Sequence, residues 1–257
     1  MDERRLEGGR TQGAVRIGDT VRRPVRPWTP AVHALLDHLA ALGVAGAPRV
    51  LGIDEQGRET LSFLPGETVG ERLPWPPWAF ADGTLAEAGR WLRRLHDATA
   101  GYRPPEGATW FAGQNWRPGL IIGHHDAAPY NAVWRDGNLA GFVDWDTAGP
   151  STRELDLAFT ALTWVPLHNR AFAELTGFTA FDERAGRLRI LLDSYGHEGD
   201  RAAFGAAVAA RARVNAAGIH RLAGGGDPAY AHLLPVAEGY ERSAAEIEAL
   251  PAAFWTA

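Results

Sequence analysis

From residue 14 onward, apolar and polar side chains alternate in short runs, the period of half-buried strands. Ala14 to Ile17 is the first run, Gly18 and Asp19 make a tight turn, and Thr20 to Val25 returns as a second strand. Pro24 places the end of that strand near a sheet edge. Gly8, Gly9 and Gly13 form a glycine-rich, turn-forming segment ahead of this hairpin. Thr29 and Pro30 then predict a helix start, with Thr29 as N-cap and Pro30 at the first helical position. Val32, Leu35, Leu36, Leu39 and Leu42 follow at helical spacing, and Gly43 closes the helix. Two more strands are expected at Arg49 to Ile53 and Glu59 to Leu64, joined by a turn over Asp54 to Arg58 and stopped by Pro65 and Gly66.

Past Pro65 the period changes. The proline-rich run from Leu73 to Trp78 excludes regular interior structure. Gly83 to Thr99 predicts a strong helix with Leu85, Ala88, Leu92 and Leu95 on one face. Asn115 to Ile122 reads as a loop running into a short apolar stretch, and Leu139 to Val143 as a short strand. Helices are expected over about 152–165, 168–176, 181–195, 199–222 and 229–249. The expected organisation is a strand-rich part, residues 1–66, followed by a larger helical part, residues 67–257. No internal repeat is present.

Charge narrows the function classes. Residues 1–143 hold 16 Arg against 16 Asp and Glu, whereas residues 144–257 hold 10 Arg against 15, which carries the whole net charge of −5. A basic nucleic-acid footprint is therefore not expected. The acidic second half is either a solvated surface or a field that draws a cationic substrate. The chain has no Lys, so any task that needs a cationic side chain falls to Arg. It has no Cys, which excludes disulfides, thiolate zinc sites and thiol catalysis and suits the cytoplasm. No apolar signal core and no run of about 18 apolar residues is present, so no membrane span is expected.

The chemistry concentrates between His124 and Asp146. Asp126 and Asn131 lie five apart in a loop, and Asp144 follows thirteen residues later at the end of an apolar strand. Phosphoryl transfer asks for a metal that bridges phosphates, a carboxylate near the attacking hydroxyl, and positioning. Asn131 and Asp144 offer hard oxygen ligands suited to Mg2+, and Asp126 offers the carboxylate.

His124, Asp126 and Asn131 match the kinase catalytic-loop pattern H-x-D-x-x-x-x-N, and Asp144 stands at the metal-binding Asp that follows it. With the run Val143 to Asp146, the segment Arg153 to Ala158, the stretch Phe63 to Glu67 and the helix end at Leu92 to His96, the sequence resembles the aminoglycoside phosphotransferase family and its choline, homoserine and macrolide kinase relatives. The resemblance extends over nearly the whole chain and is specific over residues 121–158. It implies an α+β, bilobal, protein-kinase-like fold with residues 1–66 as the nucleotide-binding lobe. It implies ATP or GTP as co-substrate and Mg2+ as cofactor. Asp126 is then the base, His124 a scaffold of the catalytic loop, and Asn131 and Asp144 the metal ligands. Backbone groups of Phe63 and Leu64 hold the base, the loop around Gly9 covers the phosphates, and Arg22 clamps them while Arg23 points to the other face. The acceptor is a small-molecule hydroxyl, with aminoglycosides and other amines fitting the acidic second half. Asp193, Glu198, Asp200 and Asp227 are candidate contacts.

The sequence departs from the family's pattern twice. Arg replaces the usual phosphate-binding Lys. The following helix places Val32 near the position of the Glu that normally pairs with it, with His33 and Asp37 as the nearby polar side chains. Several roles stay open at this level. Asp146 is a second metal ligand or a helix-start residue. Gly8 to Gly13 is a phosphate loop or a plain hairpin turn, and His125 is a filler at a glycine-like position or a substrate contact. A catalytically weak binding or immunity protein is the competing function. A metal-dependent hydrolase is a poorer third, because the other histidines have no ligand spacing.

Overall fold

The computed structural model describes residues 3–6, 13–70, 72–225 and 228–256. The chain divides into two compact units: Met1–Arg72 with Trp91–Thr152, and Leu73–Arg90 with Arg153–Ala257. The loop that carries Asp126 falls in the first of these units, with the sheet.

The first unit is built on an antiparallel sheet. Its described strands are β1 (Arg4–Arg5), β2 (Val15–Ile17), β3 (Thr20–Pro24), β4 (Val50–Ile53) and β5 (Arg58–Ser62), ordered β1-β2-β3-β5-β4. Strand β1 was not anticipated. It pairs with β2 through Arg4↔Arg16 and Arg5↔Val15, with the glycine-rich segment between them. Helix α1 (Thr29–Ala41) buries Ala31, Val32, Leu35, Leu36 and Leu39 as one stripe. Its N-cap is Trp28 rather than Thr29, because the Thr29 hydroxyl is turned back to accept from the Arg26 amide at 2.9 Å.

Helix α2 (Asp82–Thr99) begins in the second unit and ends in the first. Beyond it lie β6 (Ile121–Gly123), β7 (Ala132–Arg135), β8 (Asn138–Phe142) and β9 (Gly149–Ser151). Strands β7 and β8 form a hairpin closed by Asp136 and Gly137, both at positive φ, as a tight two-residue turn between right-twisted strands requires. Strands β6 and β9 pair through Ile121↔Ser151 and Gly123↔Gly149. These two pairs bracket the loop that carries Asp126 and the strand end that carries Asp144.

Backbone approach also holds the hairpin in place. Phe142 N–H donates to Gly46 C=O at 2.8 Å, and a Cβ on Gly46 would stand 2.9 Å from the Gly141 Cα. Trp91 Nε1 donates to the adjacent Ala45 C=O.

The second unit is helical: α3 (Arg153–Trp164), α4 (Arg170–Leu175), α5 (Arg184–Tyr195), α6 (Arg201–Gly224), α7 (Leu234–Glu248) and α8 (Ala252–Thr256). Leu157, Phe159, Leu162, Phe204, Val208 and Ile247 are buried in it. Buried Arg187 donates to the Phe80 and Trp164 carbonyls and to the Asp82 carboxylate, satisfying two backbone acceptors and one side chain. Among the described residues no helix is long and apolar enough to cross a membrane.

Gly46→Ala is expected to cost about 2–4 kcal/mol, since it combines a positive φ with a backbone clash. Gly43→Ala, also at positive φ but with nothing within 4 Å, is expected to cost about 1 kcal/mol. Urea unfolding of the two variants measures the difference.

Candidate active site

A cavity of about 400 Å³ opens within the first unit. Arg16, Val21, Arg23 and Leu61 line it from the sheet, Phe63 and Leu64 from the segment after β5, and Asn131, Val143 and Asp144 from the loops around the β7–β8 hairpin. The pattern of the sequence motif follows from that hairpin. Asn131 immediately precedes β7 and Asp144 lies two residues beyond β8, and Val143 N–H donates to Asn131 C=O at 3.0 Å. Thirteen residues of chain thus close on themselves and bring Asn131 and Asp144 to one wall.

His124 follows β6 and is fully buried, its ring centroid 4.6 Å from Trp145 and 6.0 Å from Phe142. It sits behind the wall as packing for the loop. His125 adopts φ 64°, in the left-handed region, and its Nε2 lies 3.2 Å from the Gly149 carbonyl. Asp126 is then presented with its carboxylate fixed from two sides. Tyr130 Oη donates to Oδ1 at 2.6 Å, and Asn131 Nδ2 donates to Oδ2 at 2.8 Å and to the Asp126 carbonyl at 2.9 Å. Tyr130 and Asn131 line the cavity, so Asp126 is one hydrogen bond from its wall.

Arg23 is the centre of charge. Its side chain is 8% exposed. Nε donates to Glu59 Oε1 at 2.7 Å, and Nη1 donates to Asp144 Oδ1 at 3.4 Å. Asp146 Oδ1 lies 2.8 Å from Nη2 but without hydrogen-bond alignment, so that contact is Coulombic. Burial pulls the Arg23 pKa down, but Asp146, Glu59 and Asp144 together outweigh it and hold the guanidinium above its ordinary value. Asp144 lies in the left-handed region, at φ 61° and ψ 66°. Burial and the neighbouring Asp146 charge raise its pKa against the pull of Arg23. One guanidinium faces three carboxylates, leaving a formal charge of −2.

That excess suits a divalent cation. The Asn131 amide nitrogen is used by Asp126, and its Oδ1 makes no hydrogen bond among the described residues while Asn131 lines the same cavity as Asp144. Among the described residues no group of three His or acidic side chains could hold a metal alone. Two hard oxygen ligands with the rest supplied by phosphate and water is the usual demand of Mg2+.

Of the two adjacent arginines, Arg23 lines the cavity and Arg22, the expected phosphate clamp, does not. Arg22 is directed away from the cavity and pairs with Asp54 at 3.3 Å, beside Arg58, which also bonds Asp54 and Glu3. Arg23 lines the cavity instead, because β3 pairs with β5 in the register Arg23↔Glu59 and Arg22↔Thr60. Glu59 was not singled out from sequence; its signal was the alternation that places Glu59 with buried Leu61 and Arg23 with Val21. Phe63 and Leu64 do reach the cavity, but Phe63 N–H donates to the Asp19 carbonyl at 2.9 Å and is not available to a base. The Leu64 N–H makes no hydrogen bond among the described residues. Arg16 lies 3.6 Å over the Phe63 ring. Gly9 and most of its loop, and Asp227, fall outside the described residues.

Arg23→Met should destabilise the fold by about 3–5 kcal/mol because it strands buried Glu59, whereas Arg22→Met should cost about 1 kcal/mol or less. Chemical denaturation of both variants distinguishes them, and equal costs would contradict the placement.

A family model described as the phosphotransferase enzyme family matches residues 108–191. A relative from Rhizobium leguminosarum bv. trifolii, a trifolitoxin immunity protein, is 42% identical over 200 residues, 76% of this chain and 74% of the relative. Among solved structures, a choline/ethanolamine kinase family protein from Mesorhizobium loti aligns over 96% of this chain and 92% of its own, at 19% identity and a TM-score of 0.56. Macrolide 2'-phosphotransferase MphH from Brachybacterium faecium aligns over 93% and 88%, at 17% identity and a TM-score of 0.54. Amicoumacin kinase hAmiN, in complex with AMP-PNP, Ca2+ and Ami, aligns over 92% and 86%, at 12% identity and a TM-score of 0.58. These structural likenesses give the fold: α+β, bilobal and protein-kinase-like.

Proposed function

Because the chain belongs to the phosphotransferase enzyme family, we propose that it transfers the γ-phosphate of ATP or GTP to a hydroxyl of a small molecule in the cytoplasm. The observation that carries this reading is the convergence of Asn131, Asp144 and Arg23 on one cavity, with Asp126 held one hydrogen bond from its wall. Asn131 and Asp144 would hold Mg2+. Held there, Mg2+ would supply positive charge to offset that of the phosphates. Arg23 would hold phosphate oxygens through its guanidinium. Asp126 would accept the proton of the attacking hydroxyl, its plane fixed by Tyr130 and Asn131. Leu64 N–H is the backbone donor left for the base. The acidic charge of residues 144–257 supports an acceptor that carries amines.

A second reading has one observation in its favour. The relative at 42% identity is named an immunity protein, and such a chain can protect by binding a toxin without turning it over. A mass-shift screen of hydroxylated amines, aminoglycosides and macrolides with ATP and GTP separates the two. A gain of about 80 Da, lost in Asp126→Ala with at least a ~100-fold fall in rate, is expected of a phosphotransferase. Tight acceptor binding with no mass gain and no nucleotide-dependent thermal shift in millimolar Mg2+ would favour the immunity reading.

A further inference from the structure

Helix α1 has no acid beside Arg23. Val32 is buried in the core, and the next residue, His33, reaches strand β5 instead. Its Nε2 lies 2.8 Å from Glu59 Oε2, while Glu59 Oε1 accepts from Arg23 Nε at 2.7 Å. Glu59 is 1% exposed. A carboxylate that deep needs a partner for each oxygen. Here one partner is the helix imidazole and the other is the guanidinium, so a continuous polar link runs from α1 through β5 to the cavity.

We infer that Glu59 and His33 are positioning residues that hold Arg23 in place for the phosphates of a bound nucleotide. The inference rests on the phosphotransferase reading, which supplies the phosphates. Its physical content is a competition for one cation. Glu59 engages Arg23 at Nε, while Asp144 and Asp146 attract Nη1 and Nη2. Removal of the Glu59 charge lets Asp144 and Asp146 draw the guanidinium towards themselves. The cation then neutralises the acids that suit a metal and is withdrawn from phosphate. His33 acts one step back. It is the neighbour that satisfies Oε2, and with it the plane of the Glu59 carboxylate is set from both sides. The ring must donate from Nε2 to do so, since an ionised carboxylate is acceptor-only. The pair opposite β3 is also a direct cross-strand pair, Arg23↔Glu59, so backbone register fixes the distance that the side chains then exploit.

The test is calorimetric titration of magnesium ADP, and separately of adenosine, into the full chain and its Glu59→Gln, His33→Leu and His33→Gln variants. Unfolding of each nucleotide-free protein is followed in parallel. Glu59→Gln and His33→Leu are expected to weaken ADP about tenfold, the factor carried by one charge-assisted hydrogen bond, with adenosine affinity unchanged. His33→Gln keeps an N–H donor towards Glu59 and is expected to stay within about threefold of wild type. A merely structural pair would lower the melting temperature and leave the ADP affinity of folded protein where it was, which overturns the inference. Equal weakening of ADP and adenosine overturns it as well. If Glu59→Gln does not fold, the two His33 variants decide, because His33 is on the part-exposed side of the link. A wild type that binds neither ligand overturns the phosphotransferase reading itself, an outcome distinct from a binding wild type with indifferent variants.

Discussion

A single buried guanidinium, Arg23, sets the chemistry of this cavity. Four features of the chain meet on it: the register of β3 against β5, the helix α1 through His33, the strand end at Asp144, and the following turn at Asp146. An unpaired buried cation is costly, and an unpaired cluster of acids is equally so. The arrangement survives in the folded chain because each excess is offset by the other. It is not fully offset. Three carboxylates outnumber one guanidinium, and burial, followed by the Asp146 charge, raises the Asp144 pKa. A site balanced in this way is ready for a further cation accompanied by an anion, which is the composition of a magnesium nucleotide.

The backbone around the site serves that balance. Asp144 takes a left-handed conformation, which costs a non-glycine residue about 1 kcal/mol, and the β7–β8 hairpin and the Gly46–Gly141 approach hold it there. The His124 ring packs against Trp145 and Phe142 at the start of the loop that carries Asp126. Asp126 is then oriented by Tyr130 and Asn131, and Asn131 uses its amide on Asp126 while its Oδ1 is left for a ligand. One side chain thereby links Asp126 to the cavity wall that Asp144 also lines.

Much of this was legible in the residues, for reasons that differ by element. The hydrophobic stripe of α1 and the alternation of β2, β3 and β5 are periodic over enough positions to be read directly. The spacing of Asp126, Asn131 and Asp144 was readable because it matches the kinase catalytic-loop pattern and the Asp that follows it. Strand β7 was missed although Asp136 and Gly137 are a strong hairpin signal. Adjacent Arg22 and Arg23 showed that one faces in and one out; the choice depends on long-range register with Glu59, which no local period encodes. The absence of an acid at the Val32 position of α1 was visible, whereas the pairing of Arg23 with Glu59 was not, because Glu59 comes from a strand 26 residues beyond His33.

The most direct measurement is nuclear magnetic relaxation by Mn2+ substituted for Mg2+, with AMP-PNP present and the side-chain amides of asparagine observed. If Asn131 and Asp144 form the metal site beside Arg23, the Asn131 side-chain resonance should broaden at substoichiometric Mn2+, only when nucleotide is present, and not in Asp144→Asn. An Asn131 resonance that stays sharp through saturation with nucleotide and Mn2+ would contradict a metal-nucleotide site in this cavity.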